Sequence, residues 1–265
     1  MKNTVLNSNE DFKEINADYW TERSETYSDK IIHQLEGEAY KIWASEFSRQ
    51  FVEHFGPKFD SLKVLDCGCG PGFFSIVLSQ LGHTLTGIDI SQGMIEHAKS
   101  NVKKASVDLK LIQMDAQALN FEDESFDVLV TRNLTWNLSD PKAAYKEWLR
   151  VLKPGGLLLN YDANWYNFLF DDALKEAFIQ DRKNTVSEGV EDFYAYKHSD
   201  EMEDLARRVP LSKIHRPKWD KNFIESLGHS VKVDECAGDY LWTEVEKVNS
   251  ASTPLFSIAI RKSDT

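Results

Sequence analysis

The sequence predicts an α/β fold built around a mostly parallel sheet, and three observations carry that reading. From Leu62 onward, short β-rich runs alternate with amphipathic segments, the pattern of successive βαβ units. A glycine triplet, Gly68, Gly70 and Gly72, stands where the first of those runs turns into a helical segment. An acid, Asp89, closes the second run, 23 residues after Asp66.

Residues 10–35 read as a polar helix. Residues 38–55 read as a clearer one, because Ile42, Trp43, Phe47, Phe51 and Phe55 recur at helical spacing until Gly56-Pro57 stops them. Strands are predicted at Lys63–Cys67, Thr84–Ile88, Asp108–Gln113, Phe126–Thr131 and Gly156–Tyr161. Helices are predicted between them at Phe73–Gln80, Gln92–Lys104 and Lys142–Leu152, the last closed by "KPGG". Residues 162–216 break the rhythm: they are aromatic, acidic and read as helical. A helix over Trp219–Leu227 and strands near Val231–Glu235 and Pro254–Arg261 complete a seven-stranded sheet. The expectation is one α/β domain over 57–265, with a helical arm or cap at 1–56 and a helical lid inserted after strand five, at about 162–216.

Bulk composition narrows the function. At 265 residues and 42% hydrophobic, the chain can bury a real core. A formal net charge of −12 argues against unaided binding to a nucleic-acid backbone. The opening "MKNTVLNSNEDFKEIN" is too polar for a signal peptide, and no apolar run approaches membrane-spanning length. Three cysteines, Cys67, Cys69 and Cys236, make no disulfide framework. The expected setting is cytoplasmic, with no membrane and no nucleic-acid partner.

The strand ending in "VLDCGCGPG" runs directly into a helix, so an open turn should come close to a ligand. Glycines let a backbone approach without Cβ clashes, and a helix start favours negative charge. An acid at the end of the second strand suits a grip on ribose hydroxyls. The dinucleotide fingerprint G-x-G-x-x-G is absent, because Phe73 stands where its third glycine would, and no P-loop lysine follows.

With these motifs the sequence closely resembles the class I S-adenosylmethionine-dependent methyltransferases, in their small-molecule branch. "VLDCGCGPG" is similar to the family's first motif and "GIDIS" to the acidic end of its second strand. "MDAQAL" (114–119), "FEDESFDVLVTRNLTWNL" (121–138) and "EWLRVLKPGGLLL" (147–159) match the later motifs in order. The resemblance implies a Rossmann-like doubly wound sheet and S-adenosyl-L-methionine as cofactor. It places Gly68 and Gly70 against the methionine part, Asp66 on the loop or the amino group, and Asp89 on the ribose. It further implies Ile90 and Met94 around the adenine, Asp115 and Ala116 at its edge, and Asn133 and Leu134 beside the sulfonium. Arms such as "DYWTERSETYSD" (18–29) fold over the cofactor in this family. Tyr19, Arg23 and Tyr27 lie roughly on one helical face there, which adds them to the cofactor set.

The acceptor is less legible. Trp136 occupies a position that is often histidine in related proteins, so no familiar catalytic histidine is expected there, and no catalytic residue is assigned. Asp162, Trp165 and Tyr166 follow the fifth strand directly, where open α/β sheets bind ligands, and are expected in the acceptor pocket with Trp136 and His198. The C-x-C of Cys67 and Cys69 has no ligand partner nearby, so no metal is expected. Residues 171–204 hold four Lys/Arg against eleven Asp/Glu amid many aromatics, which suggests a cationic acceptor such as an amine; an ordinary helical cap explains the same composition. The expected activity is methyl transfer to a small molecule. A protein or nucleic-acid methyltransferase on the same fold, and a non-catalytic cofactor-binding protein, are the alternatives. "TRNLTW" lacks the Asn/Asp-Pro-Pro-aromatic motif typical of nucleic-acid amino methylation.

Overall fold

The computed structural model describes residues 9–264; residues 1–8 of the expected arm lie outside the described residues. Two long helices come first, α1 (Asn9–Glu36) and α2 (Glu38–Phe55). The alternating core follows as β1 (Lys63–Cys67), α3 (Phe73–Gln80), β2 (Thr84–Asp89), α4 (Gln92–Lys104), β3 (Lys110–Gln113), β4 (Phe126–Arg132), α5 (Pro141–Val151) and β5 (Leu152–Asp162). Then come α6 (Asp172–Glu188), α7 (Ser199–Ala206), α8 (Lys218–Ser226), β6 (Ser230–Asp234), α9 (Gly238–Leu241), α10 (Glu244–Asn249) and β7 (Phe256–Arg261).

The seven strands form one sheet in the order β3-β2-β1-β4-β5-β7-β6. Strands β1 to β5 pair in parallel, while β7 runs antiparallel between β5 and β6. Strand order reverses between β1 and β4, which opens a crevice at their carboxyl ends. The strands are apolar on both sides because both sides are covered. Val64, Val128, Val130, Leu157 and Leu159 meet Trp43, Phe47, Phe51 and Phe74 on one face. The alternate residues Leu65, Leu129 and Leu158 meet Tyr145, Trp148 and Ile224 on the other.

One predicted boundary is wrong for a physical reason. "KPGG" does not separate α5 from β5, because the strand begins at Leu152, paired with Phe126. The register then jumps to Val128↔Leu157, so the Pro-Gly-Gly stretch is absorbed as a bulge in the strand. Helix α5 starts one residue early, at Pro141, with the Asp140 carboxylate accepting from Ala143 N at 3.0 Å.

Two contacts bring α1 over the carboxyl edge of the sheet. Gly93 in α4 leaves room for it: a Cβ there would lie 2.7 Å from Ser24 Oγ. A third cluster then joins Phe12 and Tyr19 of α1 to Trp136, Tyr166, Phe168, Met202 and Leu205. Helix α1 and the segment after β5 therefore meet above the crevice.

Candidate active site

The turn after β1 is shaped by its glycines. Gly68 has φ 67°, and a Cβ on it would lie 2.9 Å from Leu134 Cδ1. Gly70 has φ 51°, and its nearest neighbour is Tyr27 Cε1 at 3.9 Å, so space is left above the turn. Asp89 ties this turn to α4: its Oδ2 accepts from Gly70 N and its Oδ1 from Ser91 N, both at 2.9 Å. Burial pushes the Asp89 carboxyl up to about 6, against the pull of those two N–H groups. Asp66 sits deeper and accepts from Ser75 Oγ at 2.6 Å. Burial pushes it up to about 7, with Ser75 and the Arg132 guanidinium opposing.

A narrow cleft of about 80 Å³ opens on this turn. It is lined by Tyr27, Gly68, Gly70, Asp89, Ile90, Met94, Asp115, Ala116, Asn133 and Leu134, so ten of the residues expected from sequence to bind the cofactor converge. Phe12, Lys13, Asn16 and Trp20 of α1 close its other wall, and Lys13 Nζ lies 2.9 Å from Asp115 Oδ2. The buried Asn133 Oδ1 and Asn16 Oδ1 have no hydrogen-bond partner in the protein. Three expected residues lie elsewhere. Asp66 is behind the turn, and Tyr19 and Arg23 line a second space.

That second cavity holds about 550 Å³ and shares Trp20, Tyr27, Arg132 and Asn133 with the cleft. Its walls are largely aromatic. They bring together Trp136, Trp165 and Tyr166 with Trp43, Tyr194, Tyr196 and Trp242. Trp136 donates from Nε1 to Asn133 O at 3.0 Å and stacks on Tyr166 with centroids 5.0 Å apart. The cations here are placed unequally. Arg132 donates to Gln34 Oε1 at 3.1 Å and lies over Phe73 and Phe74. Lys30 sits 3.8 Å from Glu191, and burial lowers its pKa against that pull. Arg23 lies 3.8 Å over the Tyr196 ring, with its Nε unpartnered.

Two acceptor-pocket expectations need correction. Asp162 does not face the cavity, because its fully buried carboxylate is consumed by structure. It accepts from Trp136 N and Ala163 N, both at 3.0 Å, and pairs with the buried Arg216 guanidinium. Arg216 also grips Asp220, which accepts from Tyr145 Oη at 2.7 Å. Burial raises the Asp162 carboxyl while Arg216 opposes that shift. His198 lies outside both linings, with Nδ1 3.1 Å from Glu201 Oε2. Glu22, His198 and Glu201 do bring potential ligand atoms within 4.8 Å of one another, at the seam between α1 and α7.

Several aromatic faces after β5 already hold the chain's own cations. Arg182 lies over Phe178 and Tyr194, Lys30 over Phe193, and Lys213 over Phe170. Sequence reasoning also missed Arg132, which faces both spaces. It stands at the carboxyl end of β4, the kind of position that singled out Asp162 after β5, so the same rule applied there finds it.

Residues 65–160, from β1 into β5, match a family model described as a methyltransferase domain. A demethylmenaquinone methyltransferase of Staphylococcus aureus is 37% identical over 135 residues, 49% of this chain and 53% of that protein. The chain is thus similar, from β1 into β5, to methyltransferase domains. It spans only about half the length of the first curated relative. A ubiquinone biosynthesis O-methyltransferase of Coxiella burnetii is 26% identical over 180 residues, 65% of this chain and 75% of that protein. The fold is shared with an S-adenosylmethionine-dependent methyltransferase of Aquifex aeolicus (TM-score 0.52, 19% identity, 89% of this chain and 98% of that one). No helix among the described residues is long and apolar enough to cross a membrane.

Proposed function

We propose that this chain transfers the methyl group of S-adenosylmethionine to a small acceptor with a flat, mainly apolar ring, held in the larger cavity. The observation that carries this reading is the common wall: Trp20, Tyr27, Arg132 and Asn133 border both the cleft and the 550 Å³ cavity. A donor in one space and an acceptor in the other would meet there.

The cleft suits the cofactor. Space above Gly70, a carboxylate at Asp89 and the orphan acceptor Asn133 Oδ1 match a turn, a diol and a polar tail. Asp89 takes the ribose hydroxyls, Ile90 and Met94 flank the adenine, and Asp115 and Ala116 sit at its edge. Gly68 and Gly70 admit the methionine part, with Asn133, Leu134 and Tyr27 near the sulfonium. Arg132, bordering both spaces with one amide partner, takes the cofactor's carboxylate. Asp66 acts through Ser75 to hold the turn. Bound cofactor supplies an activated methyl group. The protein's part is alignment and exclusion of water, with α1 and the segment after β5 as arm and lid.

Trp136, Trp165, Tyr166 and Tyr19 build the acceptor walls. The quinone-related names of the relatives agree with a ring-shaped acceptor. An amine fits less well, because two of the cavity's aromatic faces, Tyr194 and Phe193, are already covered by Arg182 and Lys30. Release of S-adenosylhomocysteine from matched hydroxylated naphthalenes, hydroxybenzenes and alkylamines tests this. Turnover of the hydroxylated rings is expected. Turnover confined to the amines sinks the reading.

A further inference from the structure

We propose that Arg23 is the anion anchor of the acceptor cavity, so that the acceptor enters carrying an acidic oxygen, a carboxylate or an ionised phenol or enol. The inference rests on the two-cavity reading above and adds the charge of the acceptor.

Arg23 is only 8% exposed, yet it lines the large cavity. Among the described residues no carboxylate lies within salt-bridge distance of its guanidinium, and its buried Nε has no partner. Its one strong neighbour is the Tyr196 ring, 3.8 Å beneath. A cation removed from water without a counter-ion carries a large desolvation cost, which a bound anion would offset. The carboxylates lining the same cavity do not fill that role. Glu246 accepts from Thr243 N and from Gln34, Glu191 is exposed beside Lys30, and Glu38 is exposed. Among the described residues, Arg23 and Arg132 are therefore the lining cations that no carboxylate pairs, while the acids stand at the rim or accept from neutral donors. A guanidinium offers planar paired donors, the geometry that suits a carboxylate or an oxygen-bearing ring edge. Such an anion would need no general base, and burial pushes the tyrosines Tyr19 and Tyr166 of the cavity up, away from that role.

The test uses three probes of one shape: 2-naphthoate, 2-naphthalenemethanol and 2-naphthylmethylamine. Each is titrated calorimetrically into the protein saturated with S-adenosylhomocysteine, whose own affinity is measured first. The naphthoate is expected to bind at least about tenfold tighter than the alcohol, and the ammonium weakest. Arg23→Gln should erase the preference for the anion, Arg23→Lys should keep part of it, and neither should move S-adenosylhomocysteine affinity more than about twofold. Equal or tighter binding of the alcohol or the amine to the wild-type protein overturns the proposal, as does no binding by any probe. That comparison needs no variant to fold. Persistence of the preference in Arg23→Gln also overturns it. Failure of S-adenosylhomocysteine to bind at all would instead remove the two-cavity reading beneath it.

Discussion

Asp89 offers the sharpest test of the cofactor cleft. An ionised carboxylate has about four acceptor positions, and backbone N–H groups of Gly70 and Ser91 use two of them at 2.9 Å. Two remain for a ribose diol. Losing two charge-assisted hydrogen bonds at about 1.5 kcal/mol each removes about 3 kcal/mol. The amide oxygen of Asp89→Asn recovers part of that, so affinity for S-adenosylhomocysteine should fall by at least about tenfold at pH 7.5. The raised carboxyl supplies an independent check. With burial pushing Asp89 up to about 6, the free protein is protonated there below pH 6 and must release that proton to accept from the diol. Affinity should therefore drop about tenfold between pH 7 and pH 5 in the wild type, and far less in Asp89→Asn. Asp66 also titrates high, at about 7, but it is committed to Ser75 and lines neither space, so its share of the slope persists in the variant. Calorimetry across pH decides the matter. A wild-type affinity that is flat from pH 7 to 5, or an unchanged affinity in Asp89→Asn, refutes the assignment.

Other perturbations probe the supports of the site. Arg216→Met strands Asp162 and Asp220 as buried carboxylates, so stability should fall by about 3–5 kcal/mol, visible as a melting temperature lower by about 10 °C; a change under 3 °C would refute the network. Gly68→Ala should weaken S-adenosylhomocysteine binding and cost about 1–3 kcal/mol, since its Cβ meets Leu134 at 2.9 Å in a left-handed conformation. Gly82→Ala, left-handed but with nothing within 4 Å, serves as the strain-only control and should leave binding alone. Deleting residues 1–30 takes away Phe12, Lys13, Asn16, Trp20 and Tyr27 from the cleft wall, and cofactor affinity should fall at least about tenfold with the strand signal in circular dichroism retained. Normal binding by the truncated chain would make α1 mere packing.

The fold was legible because its signals are local. The alternation from Val64 to Leu159 reflects burial on both faces of each strand, and the glycine turn and Asp89 lie within one βαβ unit. The β5 boundary was not legible, because the pairing of Leu152 with Phe126 is a cross-strand event that outweighs the local stop signal of Pro-Gly-Gly. Long-range contacts hide in the same way. Nothing near Lys13 in sequence shows that it will meet Asp115, and nothing near Asp162 shows that Arg216 will claim it.

Charge shows most clearly why counting residues differs from placing them. The segment 171–204 is strongly acidic by composition, which invites a cation. In the fold three of its acids are taken up locally: Asp192 pairs with Arg182, Asp181 accepts from Ser252 N, and Glu191 stands beside Lys30 at the rim. Three of its aromatic faces, Phe178, Tyr194 and Phe193, are likewise taken by Arg182 and Lys30. Left facing the cavity without a carboxylate partner among the described residues are the guanidinium groups of Arg132, from β4, and Arg23, from α1, both separated in sequence from the acidic stretch. Net charge is a property of a whole segment, whereas recognition depends on the few groups left without partners after folding. A sequence that counts as acidic thus folds with two guanidinium groups, Arg23 and Arg132, lining a cavity in which no carboxylate among the described residues pairs them.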